Sequence, residues 1–461
     1  MAILKAYTLP HPPLVLPKIG KGKENLTKRT LEAFDSVSKE IAELKPETII
    51  FITPHSVLYS DYYHISPGKT ARGDFARFGA PEEEVVTNYD EELAYTIEGI
   101  AEADFVYAGS QGEKDKKLDH GTMVPMWYIN KNYSDYKSLR ISQSGMSPAE
   151  HYRFGQVITK AIKQLNRRTV IIASSDLSHK LQNDGPYGYA SEGAKFDALV
   201  TESLSSGDFL SLFKIPDELR RGAGECGYNS LMILAGCLDR YELDAELLSY
   251  ERPFGVGYAV ARFSVNGYNE ERNILDKYME FAIEASKRIR NGEDEYQKLA
   301  RKSLEHVIET SEKLPISNDL PDEMKSKRAG VFVSLHISGS LRGCIGTIAP
   351  TTESVAEEII QNAISAGLRD NRFSPVTRSD LALLTYKVDV LEPPEPIKSS
   401  DELDVKKYGV IISSGHKRGL LLPNLDGVNT VEEQINIARQ KAGISPTENY
   451  KLERFEVIRH G

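Results

Sequence analysis

The sequence predicts an α/β protein, a mixed sheet flanked by helices, followed by a smaller α+β domain. Strand-length apolar runs alternate with helix-patterned segments through residue 266, which argues for a sheet with helices on both faces. Beyond that point the pattern changes to a charged helical stretch and then to hairpin-like alternation around a glycine turn. The length, 461 residues, exceeds what one ordinary core holds, so two or more domains are expected.

Taken in order, LKAYTL reads as a strand, NLTKRTLEAFDSVSKEIAEL as a polar-faced helix and ETIIFIT as a buried strand. DFVYAG and SLRISQS follow as strands, AEHYRFGQVITKAIKQL as a helix and TVIIASS as a second buried strand. YNSLMILAGCLDRY has helical spacing, and AELLSYERP and GVGYAVARFSV close the sheet. The boundary falls near 267–290, giving a first domain over 1–266, a helical linker over 267–291 and a second domain over 292–461. In that last part GVFVSLHISGSLRGCIGTI predicts a hairpin, ESVAEEIIQNAISAGLRD a helix, and ALLTYKVDVLEPP and YGVIISSGHKRGLLLP strands.

Composition excludes several classes. No apolar run reaches the ~18 residues of a membrane span, and the longest, such as TVIIAS, have strand length. The N-terminus MAILKAYTLPHPP has no basic region or cleavage site of a signal peptide. Lys and Arg number 57 against 67 Asp and Glu, a net charge of −10 that attracts neither nucleic acid nor an anionic membrane. Three cysteines (Cys226, Cys237, Cys344) without a CxxC pair argue against a disulfide framework or a zinc knuckle and fit a reducing cytoplasm.

Four histidines stand where short apolar runs break into loops: His11 in TLPHPP, His55 in ITPHS, His120 in KLDHGT and His179 in SSDLSH. Ligands of α/β sheets bind beyond the carboxyl ends of the strands, so His11, His55 and His179 are expected at one sheet edge. One histidine after a strand is more often bonded to backbone than to a ligand; four in this pattern, followed by Glu225 in GAGECG, point to a mononuclear metal site. Two imidazoles and one carboxylate leave three positions open on a ferrous ion, enough for a catechol and dioxygen. The two remaining imidazoles have the pKa range for moving protons.

These motifs, with NDGPYGY and EGAKFD after SSDLSH, resemble class III (LigB-type) extradiol ring-cleaving dioxygenases over roughly residues 4–265. The resemblance implies Fe(II), with copper or zinc as alternatives, held by His11, His55 and Glu225. It implies His179 as catalytic base, His120 as a second acid/base or oxygen-stabilising group, and Asp176, three before His179, as the residue orienting the His179 loop or imidazole. The third ligand stays open at this point. The Memo-type relatives carry a Cys-Gly where Cys226 stands, and Glu251 in YERPFG is a further carboxylate. A small aromatic substrate and O2 are the partners implied, with nucleic acid and membrane excluded and homo-oligomerisation undecided. His64 and His151 read as structural, Cys237 as a buried small hydrophobe, and Tyr187 and Tyr189 as residues of a substrate mouth or simple packing.

LRGCIGT at 341–347 is the densest feature of the second half. Its glycines Gly343 and Gly346 suit a tight strand–turn; alternatively Cys344 is a nucleophile and Arg342 an anion ligand. With NAISAGLRDNRF, VLEPPEPI and HKRGLLLP it resembles the AMMECR1 family over roughly 292–461. Arg342, Cys344, Arg372 and His416 form the candidate site there. The pairing of the two domains resembles proteins associated with a radical-SAM partner.

Overall fold

The computed structural model describes residues 2–113, 117–425 and 427–461. The chain divides into two compact units, Met1–Tyr278 and Met279–Gly461, the division falling inside the helix Ile274–Arg290.

Among the described residues the first unit is built on ten strands: β1 (Ile3–Leu9), β2 (Thr48–Thr53), β3 (Tyr63–His64), β4 (Thr70–Phe75), β5 (Ala80–Tyr89), β6 (Ala108–Gly109), β7 (Lys137–Ser142), β8 (Thr169–Ser174), β9 (Tyr241–Glu251) and β10 (Tyr258–Tyr268). Eight form one sheet in the order β4-β5-β7-β2-β8-β1-β10-β9; β3 and β6 pair separately. The run from β5 to β1 is parallel and the edges are antiparallel. Every residue of β2 and β8 is buried, as expected of parallel strands covered on both faces. The strand expected over DFVYAG shrinks to Ala108–Gly109, because Phe105 turns into a left-handed conformation with its ring 90% exposed. The antiparallel β4–β5 pair was not read from the sequence.

The helix Lys28–Leu44 turns Ala33, Phe34, Val37 and Ile41 inward at helical spacing. The helix Pro148–Leu165, opened by a capping box between Ser147 and Glu150, crosses the helix Tyr228–Cys237. They meet at Gly155 and Gly236. A β-carbon on Gly236 would lie 1.9 Å from Tyr152 O, and one on Gly155 would lie 2.1 Å from Ile233 O. Only glycine permits this backbone-to-backbone approach.

The second unit carries β11 (Val331–Ile337), β12 (Ser340–Gly346), β13 (Leu384–Leu391), β14 (Glu395–Ile397), β15 (Gly409–Ser414), β16 (Lys417–Leu421), β17 (Lys451–Phe455) and β18 (Val457–His460). They form two four-stranded sheets, β12-β11-β13-β18 and β14-β17-β15-β16. The hairpin expected around LRGCIG is β11–β12, with Ser338 and Gly339 both at positive φ in the two-residue turn. Val331, Val333, Leu335, Tyr386 and Val388 face Leu299, Leu304, Ile359 and Ala363 of the helices Glu295–Thr310 and Val355–Leu368. Among the described residues no helix is long and apolar enough to cross a membrane.

Glu358 is fully buried here, yet its carboxylate accepts from Thr347 Oγ1, from Thr351 N and Oγ1, and from Thr352 N and Oγ1. Burial pushes its pKa up, but the donors of Thr347, Thr352 and Thr351 outweigh it and hold the carboxyl below its ordinary value. Glu358→Ala is therefore expected to cost this unit about 3 kcal/mol in urea unfolding at neutral pH. Because the folded pKa is depressed, that contribution is present above the unfolded-state carboxyl pKa of about 4.3. It is lost as pH falls through the lower folded value, so the variant and the parent should converge in acid.

Candidate metal centre

The parallel register sets the carboxyl ends of four strands side by side, with Leu9 beside Ser174 and Thr53 beside Ser142. His11 and His55 follow β1 and β2 by two residues and His179 follows β8 by five, so they emerge at one edge. His120 arrives from another direction, opening the helix His120–Ile129. Its N-cap, Asp119, accepts from Thr122 N at 3.0 Å, Thr122 Oγ1 at 2.9 Å and Thr53 Oγ1 at 2.6 Å, tying this helix to the end of β2. Gly121 makes the approach tolerable: a β-carbon there would lie 2.4 Å from Thr53 Oγ1. The imidazoles consequently cluster, with ring centroids 4.7 Å apart for His11–His55, 4.2 Å for His55–His120 and 5.5 Å for His11–His120.

Three donor atoms converge within 4.8 Å of one another, from His11, His55 and Cys226. His11 Nε2 lies 3.0 Å from His55 Nε2 and 3.5 Å from Cys226 Sγ. Gln143, at the end of β7, donates to Cys226 O at 2.9 Å and to Ser230 Oγ at 2.7 Å, fixing the turn that carries the thiol.

Glu225, expected as the third ligand, is not in this group. Its carboxylate accepts from Tyr228 N at 2.7 Å, satisfying the start of its own helix, and Cys226 takes the place among the histidines. Glu251 is also outside the group; it accepts from Thr30 N and Oγ1, each at 2.7 Å, at the start of the helix Lys28–Leu44. Asp176 accepts from His11 N at 2.8 Å, and its other oxygen lies 3.9 Å from His11 Nε2. It therefore orients the His11 segment.

Burial, then the neighbouring His55, His120 and His179, holds His11 well below its ordinary pKa. Burial lowers His55 to about 4, as it does His179, and it lowers His120. Burial, with Asp176 and Glu225, pushes the Cys226 thiol well up, and burial raises Asp176 to about 7. Two imidazole nitrogens and a sulfur facing one another, with His11 buried, Cys226 half-buried and His55 exposed, suit a transition cation. His179 Nε2 is buried with no hydrogen-bond partner among the described residues, and its ring stacks on Tyr187 at 4.9 Å. Tyr187 and Tyr189 are both exposed.

His151 is bonded through both nitrogens to Ser144 N and Ser147 O, and Cys237 is buried. His64 is buried near Arg140 with its ring tilted against Tyr59 at 6.2 Å, and neither ring nitrogen has a hydrogen-bond partner among the described residues. Ser174, Gln143, Asp119 and Arg140 were missed from the sequence. The only signal was position: Ser174 and Gln143 stand at strand ends and Asp119 precedes His120, whereas Arg140 lies inside β7 with no local mark.

In the second unit Cys344 and Arg372 come together. Ser334 Oγ donates to Cys344 Sγ at 3.1 Å, Asp370 accepts from Cys344 N, and Arg372 donates to Cys344 O. β12 is an edge strand, so Asp370 and Arg372 cap main-chain groups that no further strand among the described residues takes up. Burial raises the Cys344 thiol, against the Ser334 hydrogen bond and Arg372, which marks a resting thiol rather than a thiolate. Arg342 is turned to Ser374 O and Asp380, and His416 sits in the turn between β15 and β16 of the other sheet.

A parallel-centred sheet with imidazoles and a thiol gathered at its strand ends defines an α/β protein with a donor set for a transition metal. The chain belongs to the family of the catalytic LigB subunit of aromatic ring-opening dioxygenases, whose model matches residues 5–261, and it continues into an AMMECR1 domain matching 297–460. A Clostridium acetobutylicum protein is 42% identical over 100% of this chain and 99% of its own length. A Thermotoga maritima protein is 46% identical over 37% of this chain and 98% of its own. The crystal structure of an uncharacterized Pyrococcus horikoshii protein, 31% identical, matches 36% of this chain and 88% of that one at a TM-score of 0.33.

Proposed function

We propose that the first unit is a Memo-like, metal-dependent redox protein that holds copper or iron on His11, His55 and Cys226 and works without ring cleavage. The observation that carries this reading is the sulfur of Cys226, 3.5 Å from His11 Nε2, where a ferrous ring-cleaving site would place a carboxylate. Bound there, the metal would supply one-electron exchange with dioxygen or an organic reductant; two imidazoles and a thiolate are a donor set suited to copper. His179, neutral and with Nε2 unpaired among the described residues, serves as proton acceptor beside the site. Tyr187 and Tyr189 supply aromatic surface for an organic substrate. A small aromatic substrate with O2, and a radical-SAM partner protein, belong to this proposal; the AMMECR1 domain is assigned no chemistry.

Ring cleavage by Fe(II) is the second reading, favoured by one observation: the Asp176 carboxylate oxygen 3.9 Å from His11 Nε2. Elemental analysis of protein purified without chelator separates the two. Near-stoichiometric copper or iron is expected, abolished in Cys226→Ser and retained in Glu225→Gln. The opposite pattern, or zinc in place of a redox metal, overturns the redox reading. Oxygen uptake with a panel of catechols, yielding ring-opened products, would establish the second.

A further inference from the structure

The feature that singles out one histidine is a hydroxyl behind it. Ser174 ends β8, fully buried and in register with Leu9. Its Oγ lies 2.6 Å from Gly121 O and 2.8 Å from His11 Nδ1. A carbonyl oxygen only accepts, and a serine hydroxyl has one hydrogen to give. That hydrogen goes to Gly121 O, so Ser174 meets His11 as an acceptor, and Nδ1 must carry the ring proton. In the neutral imidazole Nε2 is then a bare lone pair, and Nε2 is the atom that faces His55 and Cys226.

The contact with His55 extends the argument. Two bare nitrogens do not face each other at 3.0 Å without a proton or a cation between them. With His11 Nε2 bare, a metal-stripped chain that keeps this contact has to carry its proton on His55 Nε2.

We propose that Ser174 is a positioning residue that fixes the tautomer of His11 and so makes the two histidines inequivalent. His11 is a ready ligand at all times. His55 becomes one only after its ring proton moves from Nε2 to Nδ1. The Asp-His-Gly turn takes part through a backbone atom, because the Gly121 carbonyl decides which way the Ser174 hydrogen points. The inference rests on reading His11, His55 and Cys226 as a metal centre, and it adds the means by which one ligand is prepared in advance.

The test uses the full chain, labelled with 15N at histidine and stripped of metal, with ring tautomers read from long-range proton–nitrogen spectra. His11 is expected as the Nδ1–H form and His55 as the Nε2–H form. Ser174→Ala should abolish the single His11 tautomer and weaken cobalt(II) binding, followed by its visible absorption, about 10–100-fold. Ser174→Thr keeps the hydroxyl and should restore both. The wild-type spectrum decides even where a variant does not fold. His11 protonated at Nε2, or Ser174→Ala with unchanged tautomer and affinity, overturns the inference. Wild-type protein that shows the expected tautomer but binds neither cobalt nor copper supports the tautomer assignment and removes the metal reading instead.

Discussion

His179→Ala is expected to keep its metal and lose turnover by about 10²–10⁴-fold, the usual contribution of a positioned acid–base group. The reason lies in which atoms converge. The three donor atoms belong to His11, His55 and Cys226, and His179 is not among them. Its place is nonetheless built with care. Its backbone N–H bonds to Ala223 O, and Asp197 accepts from Ser178 N at 2.8 Å and from Tyr250 OH at 2.6 Å, anchoring the loop from behind. The imidazole is thus held near His11 and His55 with Nε2 unpaired among the described residues, and stays neutral above its pKa of about 4. Metal analysis together with metal-dependent oxygen uptake checks both halves of the expectation. Loss of metal from this variant would make His179 a ligand, and full turnover would deny it any part in proton transfer.

Arg140→Ala is expected to lower the stability of the first unit by about 3–5 kcal/mol. Arg140 stands on β7 at 2% exposure, donating to Ser66 Oγ at 2.6 Å and Lys117 O at 2.8 Å, and pairing with Glu113 and Asp119. Both carboxylates are themselves buried, so removing the guanidinium leaves two negative charges facing each other across a cavity. The damage would reach the site directly, because Asp119 holds Thr53 and the helix that begins with His120. Arg140→Lys keeps one charge but not the forked geometry, and should fall between the two. Chemical denaturation followed by tryptophan fluorescence is a suitable measurement, since Trp127 lies in the helix His120–Ile129. A loss below about 1 kcal/mol, the scale of an exposed pair, would mean that water reaches this network.

The strand-end histidines were legible because the parallel α/β arrangement fixes where the carboxyl ends of strands lie, whatever the loops do. The third member was legible only as an open choice among Glu225, Cys226 and Glu251. Glu225 and Cys226 are adjacent in a turn, and only the backbone there decides which side chain satisfies the new helix and which faces the histidines. A carboxylate is the better helix-start acceptor, so the residue that looked more like a ligand was claimed by its own backbone. Ser174, Gln143 and the Arg140 network were invisible for another reason. Each acts across strands distant in sequence, and a serine, a glutamine or an arginine at such a place carries no local pattern. In the second unit the LRGCIG hairpin was legible from alternation and a turn, whereas the partners of Cys344, Ser334 and Asp370, depend on register and loop closure.

The glycine crossing of the helices Pro148–Leu165 and Tyr228–Cys237 sets a limit on how this sequence can drift. Gly236 seats the second helix against Tyr152 O, and the same helix begins just after Cys226. The thiol's bearing is therefore counted off, residue by residue, from a docking point at the far end. One residue inserted between them would swing Cys226 by about 100° and displace it by about 1.5 Å along the axis. Length, more than composition, is what this stretch has to conserve.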